Sequence, residues 1–185
     1  MTSPDRWTAV GVAVLLACAG CSEDQALPNG PDVAGWYEVT HHTLSDGDCM
    51  TEGGDATGLP YIRLTEEVHD TTAYLALRRC QSMDATDCDS EDFFGGTSFV
   101  IPIENGWQER KAGAAFQPVS GDCYLSYGEA TLVQNGDGVI VELRRYEEVE
   151  PGIGAADCTH ERAMDRADLM PCLDFEVIHG QPPVD

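Results

Sequence analysis

"ATLVQNGDGVIVELRR", residues 130–145, is two apolar runs separated by asparagine, glycine and aspartate. Each run is rich in Leu, Val and Ile, and the linking residues tolerate the backbone angles of a tight reversal, so the stretch predicts a β-hairpin. A second junction, Asn105-Gly106, joins "SFVIPIE" to "WQERK" in the same way. From Gly35 onward the pattern continues outward from these hairpins as "WYEVTHHT", "YIRLTEEV", "YLALRRC", "SFVIPI", "WQERKAGAAF", "CYLSYGEATLVQ" and "VIVELRRYEEV". Many short strands joined by local turns predict a mainly β domain over 34–185, a single antiparallel β-barrel or sandwich. Pro102 has no amide hydrogen, which puts its strand at an edge or a bulge. "DCTHERAMDRADLM" has the length of about three helical turns and "DFEVIHG" reads as a closing strand, giving one short C-terminal helix.

Two strands end on similar tripeptides, Leu77-Arg78-Arg79 and Leu143-Arg144-Arg145. Alternate residues of a strand share a face. Arg79 therefore follows Leu75 and Leu77, and Arg145 follows Val139, Val141 and Leu143. If those faces line the core, one arginine of each pair points inward and needs an acid, a carbonyl or an anionic ligand. Glu129, in phase with Leu125, Tyr127 and Val133, is a candidate partner. Arg79, Arg145 and Glu129 are thus the candidate ligand-binding residues. The alternative is that both strands end there and the arginines reach water.

Other chemistry is thinly represented. "HERAM" at 160–164 has methionine where a zinc helix needs its second histidine. His41 and His42 are neighbours on a strand and face opposite ways. Two acidic loops hold Asp46, Asp48, Glu52 and Asp55, and Asp84, Asp87, Asp89, Glu91 and Asp92. Neither matches a calcium-loop spacing. They read first as solvated loops, with Asp84, Asp87, Asp89 and Glu91 left as candidate metal ligands. No cofactor is expected, and nothing in these spacings supplies a catalytic constellation.

The 185-residue chain carries 33 acidic against 10 basic residues, a formal charge of −23. Such a surface repels phosphate backbones, so nucleic acid is excluded as a partner. The chain has eight cysteines. Its first residues place Arg6 ahead of an apolar run from Trp7 to Ala17, about 16 Å as a helix, the length of a secretory leader and too short to span a bilayer.

Ala19, Gly20, Cys21 and Ser22 resemble the lipobox of bacterial lipoproteins. The resemblance implies cleavage of a signal peptide, residues 1–20, and lipidation of Cys21. It also implies attachment to the cell envelope through the lipid anchor, with Ser22 favouring the outer membrane. Leu15-Leu16-Ala17-Cys18 is a competing box. Parity favours Cys21: cleavage there removes Cys18 and leaves Cys49, Cys80, Cys88, Cys123, Cys158 and Cys172, an even set for three disulfides in an oxidising compartment. Residues 21–33, with acids, prolines and glycine, read as a flexible tether. Fifteen pairings are possible; the shortest loops favour Cys80 with Cys88 and Cys158 with Cys172, leaving Cys49 for Cys123.

Gly35-Trp36-Tyr37 resembles the opening of the lipocalins, whose signature is glycine, any residue, then tryptophan. The resemblance implies an eight-strand barrel with an interior pocket. The expected function is a non-catalytic binding module of the envelope, taking a small ligand, a cation or another envelope protein. The alternative is a protein-interaction or structural component with a filled core, and a lesser one is a hydrolase.

Overall fold

The computed structural model describes residue 27 and residues 29–69, 71–89 and 96–184. Cys21, the leader and Glu91 lie outside the described residues. The domain is mainly β: a nearly closed antiparallel barrel with one short C-terminal helix and three disulfides. Three disulfides are consistent with an exported protein, and among the described residues no helix is long and apolar enough to cross a membrane.

Strands β1 (Gly35–Asp46), β3 (Tyr61–His69), β4 (Thr72–Cys80), β7 (Gly106–Gln117), β8 (Asp122–Asn135), β9 (Gly138–Glu150) and β10 (Cys172–Gln181) are the long staves. Two short strands, β5 (Thr97–Phe99) and β6 (Ile101–Ile103), follow one another and complete the ring, while β2 (Gly54–Asp55) pairs with β1. The hydrogen-bonded order is β5-β4-β3-β1-β10-β9-β8-β7-β6, so consecutive long staves lie side by side except β4 and β7, which β5 and β6 connect, and β10 returns to β1. The segment from β5 to β6 starts on β4 (Leu75 opposite Phe99) and finishes on β7 (Ile101 opposite Gln108), turning a corner near Val100. Pro102 sits in β6, at the end of the strand order, where its missing amide costs no ladder bond.

Both hairpins form. In the first, Asn135 pairs with Gly138 and Gly136 takes φ 63° at the first central position, as a type II′ turn requires. In the second, the reversal lies one residue earlier than the Asn-Gly pair suggests. Ile103 pairs with Gly106, Asn105 takes the left-handed angle of 58°, and Gly106 is already in β7. A Cβ on Gly106 would meet the Leu132 carbonyl oxygen at 2.0 Å, so glycine serves here as close packing between strands.

One half of the lumen is a packed apolar core of Ile62, Leu64, Leu75, Leu77, Phe99, Trp107, Leu132, Val139, Val141 and Ile178. Its end is closed by chain that the sequence reading assigned to the tether. Leu27 packs on this core, Val33 is buried in it, and the Trp107 indole donates to the Pro31 carbonyl at 3.0 Å. The docked part of 21–33 therefore belongs to the domain. Trp36, which carries the lipocalin likeness, stacks with the Arg63 guanidinium 5.3 Å from its ring centre. Among the described residues the fully buried indole is Trp107.

Two further apolar clusters lie outside the barrel wall. Helix α1 (His160–Arg166), capped by Thr159, and the turn after it press Ala163 and Met170 onto Cys123, Leu125, Ala112 and Ala114. The chain around Cys49 covers Phe175 and Val177 on β10. These two layers decide the disulfides. Cys80 bonds Cys88 as the short loop predicts, but Cys123 bonds Cys158 and Cys49 bonds Cys172, which corrects the other two pairings. The helix brings Cys158 over β8, and the covering chain brings Cys49 over β10, so packing overrides loop length.

Candidate functional site

The other half of the lumen is not filled. It holds a cavity of about 490 Å³. The wall explains why. Lumen-facing positions run in rows across the ladders, and the core row Trp107, Leu132, Val141, Ile178 is bulky. The next row reads Glu109, Ala130, Leu143, Glu176 and the one beyond reads Lys111, Gly128, Arg145, Asp174. Then come Gly113, Ser126 and Glu147. On β7 and β8 the side chains shrink to Ala130, Gly128, Ser126 and Gly113 while the charged residues appear on the flanking strands. Space opens where the small residues stand.

Three ion pairs frame that space. Arg79 donates to Glu176 at 2.6 Å, and His42 Nε2 meets the other oxygen of the same carboxylate at 2.8 Å. Arg145 grips Asp174 with two nitrogens, Nε at 2.8 Å and Nη2 closer. Lys111 lies 2.9 Å from Glu109 and also donates to the Gly96 carbonyl. In each pair the acid is the deeper member: side-chain exposure is 15, 10 and 8% for Glu176, Asp174 and Glu109, against 24, 46 and 38% for Arg79, Arg145 and Lys111. The acids anchor the basic heads, which are the more exposed members of each pair and belong to residues on the cavity wall.

Glu109 also repairs the corner of the barrel. Between β5 and the middle of β7 side chains replace a backbone ladder: the Glu109 carboxylate accepts from the Ser98 amide at 2.9 Å beside the Lys111 contact with Gly96. Burial pushes the Glu109 carboxyl above its ordinary range, and Lys111 and the Ser98 amide oppose that shift.

His42 reaches the lumen through an irregularity in β1. The register with β10 slips between Val39 and His41, so His42 and Leu44 face inward while Thr43 is buried on the outer side. His41 points away from His42, toward Glu52 at 3.4 Å and the His179 ring. His42 Nδ1 is buried with no partner among the described residues.

Arg79 and Arg145 both stand on the cavity wall, in the phase their leucines predict. Glu129 also lines the cavity, but its carboxylate meets neither of these two arginines. Its place opposite Arg144, one position off the lumen-facing Gly128 and Ala130, turns that carboxylate outward, where it takes bonds from Gln108 at 2.6 Å and Arg110 at 3.3 Å. The reason is that Leu125 and Tyr127, which set its phase, are covered by helix α1 outside the barrel. The partners are instead Glu176, Asp174 and Glu109, together with Lys111 and His42, none of which the sequence reading named as ligand residues. The candidate metal ligands are drawn into local turns. Asp84 accepts from the Thr86 amide at 3.0 Å, Asp87 accepts from the Ser82 hydroxyl at 2.6 Å, and the Asp89 backbone amide bonds the Arg79 carbonyl. Among the described residues no group of three metal-ligating side chains is found.

No family model matches the chain, and no curated protein or solved structure is significantly similar to it.

Proposed function

We propose that this is an exported, lipid-anchored envelope protein whose barrel binds a small ligand without chemistry. The observation that carries the binding reading is the 490 Å³ cavity, which small side chains on β7 and β8 keep open beside basic groups that buried acids hold in place. Concave sites with an apolar floor and a few fixed polar groups are the usual form of small-molecule sites. The filled-core alternative describes the Trp107 half of the lumen and not this half. A hydrolase would need a nucleophile beside a base. Among the described residues the cavity's imidazole, His42, is bonded to Glu176, with no hydroxyl or thiol on it. The anchor rests on the lipobox resemblance at Cys21, outside the described residues.

Two measurements test this reading. Intact-mass analysis of membrane-extracted protein is expected to find a lipid on Cys21; an unmodified Met1 overturns the anchor. Native mass spectrometry of the gently extracted protein is expected to retain a small molecule that Gly128→Leu excludes. A Cβ at Gly128 meets nothing closer than the Arg144 carbonyl at 3.9 Å, so leucine fills the cavity without backbone conflict. Equal retention by both proteins overturns the cavity as the binding site.

A further inference from the structure

We infer that the ligand is a small organic anion, an apolar body bearing one carboxylate- or sulfonate-type head, and that the head sits between Lys111 and Arg145. This inference rests on the cavity reading above and specifies what the cavity takes.

Lys111, Gly128 and Arg145 occupy one lumen-facing row on three adjacent strands. With a strand spacing of about 4.8 Å, the two basic residues leave the wall roughly 10 Å apart, with no side chain between them. That gap suits an oxygen-bearing head group that accepts from both sides. Arg79, on β4, lines the same cavity. Of the acids that pair with these residues, Glu109 and Glu176 line the cavity but are largely buried, and Asp174 does not line it. Glu147 stands one row beyond Arg145, toward the rim, and bars an anion from binding higher in the mouth.

The apolar body has its own place. Ala130 and Leu143 form the row beneath the basic one, and Leu44 lies beside Glu176 in that row on β1. A molecule with its head at Gly128 would lay its body on these residues, above the packed core.

The global charge sharpens the inference. The whole chain has ten basic residues against 33 acids, and four of the ten, Arg79, Lys111, Arg144 and Arg145, line one cavity beside four glutamates. A surface at −23 repels anions at long range, so such a cluster is not a general anion attractor but a local one. The consequence is an unusual salt dependence: moderate salt screens the distant repulsion more than the contacts inside the cavity. Association with an anion is expected to speed up between low and physiological ionic strength.

The test compares two dyes with the same aromatic body, 8-anilinonaphthalene-1-sulfonate and the uncharged N-phenyl-1-naphthylamine, titrated into the oxidised full chain. The sulfonate is expected to bind at least about tenfold more tightly, which is about 1.4 kcal/mol. Lys111→Gln and Arg145→Gln are each expected to erase most of that preference. Because either change strips a buried acid of its partner and can unfold the barrel, Gly128→Asp is the companion variant. It places a carboxylate between the two basic groups, which satisfy it, and is expected to cut the preference to twofold or less with the fold intact by circular dichroism. Equal binding of the two dyes, with Gly128→Leu excluding both, overturns the anion inference and leaves the cavity reading standing. Sulfonate binding untouched by Gly128→Asp also overturns it. Dye binding that survives Gly128→Leu overturns the cavity reading itself.

Discussion

Arg145 on β9 faces Asp174 on β10 directly across the ladder and holds its carboxylate with two nitrogens. Asp174 is buried, while the guanidinium remains close to half exposed at the cavity. Removing Arg145 strands the acid, and removing both partners does not. Arg145→Met is expected to cost about 1–2 kcal/mol, below the range for fully buried pairs because water screens the guanidinium. Urea denaturation of Arg145→Met, Asp174→Leu and the double variant measures the coupling. The double variant should be more stable than Arg145→Met alone, and additive losses would show that the pair is not coupled.

Glu109 yields a pH dependence with a definite sign. Its carboxyl is raised by burial, so the folded chain binds that proton more tightly than the unfolded chain. The resulting stability is fully present below the unfolded glutamate value, about 4.3, and is lost as pH rises through the higher folded value. Glu109→Gln, which keeps an acceptor for the Ser98 amide, should remove this term. The stability of the natural chain relative to Glu109→Gln should therefore grow as pH is lowered from 7 toward 4.3. A difference that shrinks on acidification would contradict the assignment.

The three disulfides close loops of very different span, 8, 35 and 123 residues in sequence separation. Loop entropy ranks them at about 2.5, 4 and 5 kcal/mol for Cys80–Cys88, Cys123–Cys158 and Cys49–Cys172. Paired alanine variants compared by denaturation should follow that order. Peptide mapping without reduction should recover these three linkages, and finding Cys158 joined to Cys172 would sink the pairing.

Trp107→Phe keeps an aromatic ring in the core and deletes the bond to the Pro31 carbonyl. It should cost about 1–3 kcal/mol and expose residues 29–33 to protease before the barrel is cut. Gly30 lies so close that a Cβ there would meet the indole at 2.3 Å, so Gly30→Ala should loosen the same segment without touching the ring. Simultaneous cleavage of segment and barrel would show that the segment has no separate role.

The staves were legible because strand and turn chemistry are local. Leu75, Leu77 and Arg79 alternate correctly, as do Val141, Leu143 and Arg145, and both arginines reach the cavity they predict. Glu129 lines the cavity without neutralising Arg79 or Arg145, because β8 is buried on opposite faces at its two ends. Cys123 and Leu125 lie under helix α1, whereas Ala130 and Leu132 face the lumen. A period of two cannot reveal which apolar face belongs to which core. β10 conceals its acids in the same way: Phe175 and Val177 are covered outside the barrel, so the lumen face carries Asp174 and Glu176. His42 depended on a slip in register at Thr40 that its sequence does not announce.

The staves follow chain order around the ring, and the ring closes between β1 and β10. The other ladders all join strands close in sequence, at little cost in loop entropy, but the final seam joins residues more than a hundred positions apart. Barrel closure therefore waits for β10, and until then β1 offers an open edge to neighbouring chains. The Cys49–Cys172 bond lies across that seam and, once oxidised, records that closure has taken place. In this topology the last strand to arrive decides whether the chain becomes a barrel or an aggregate.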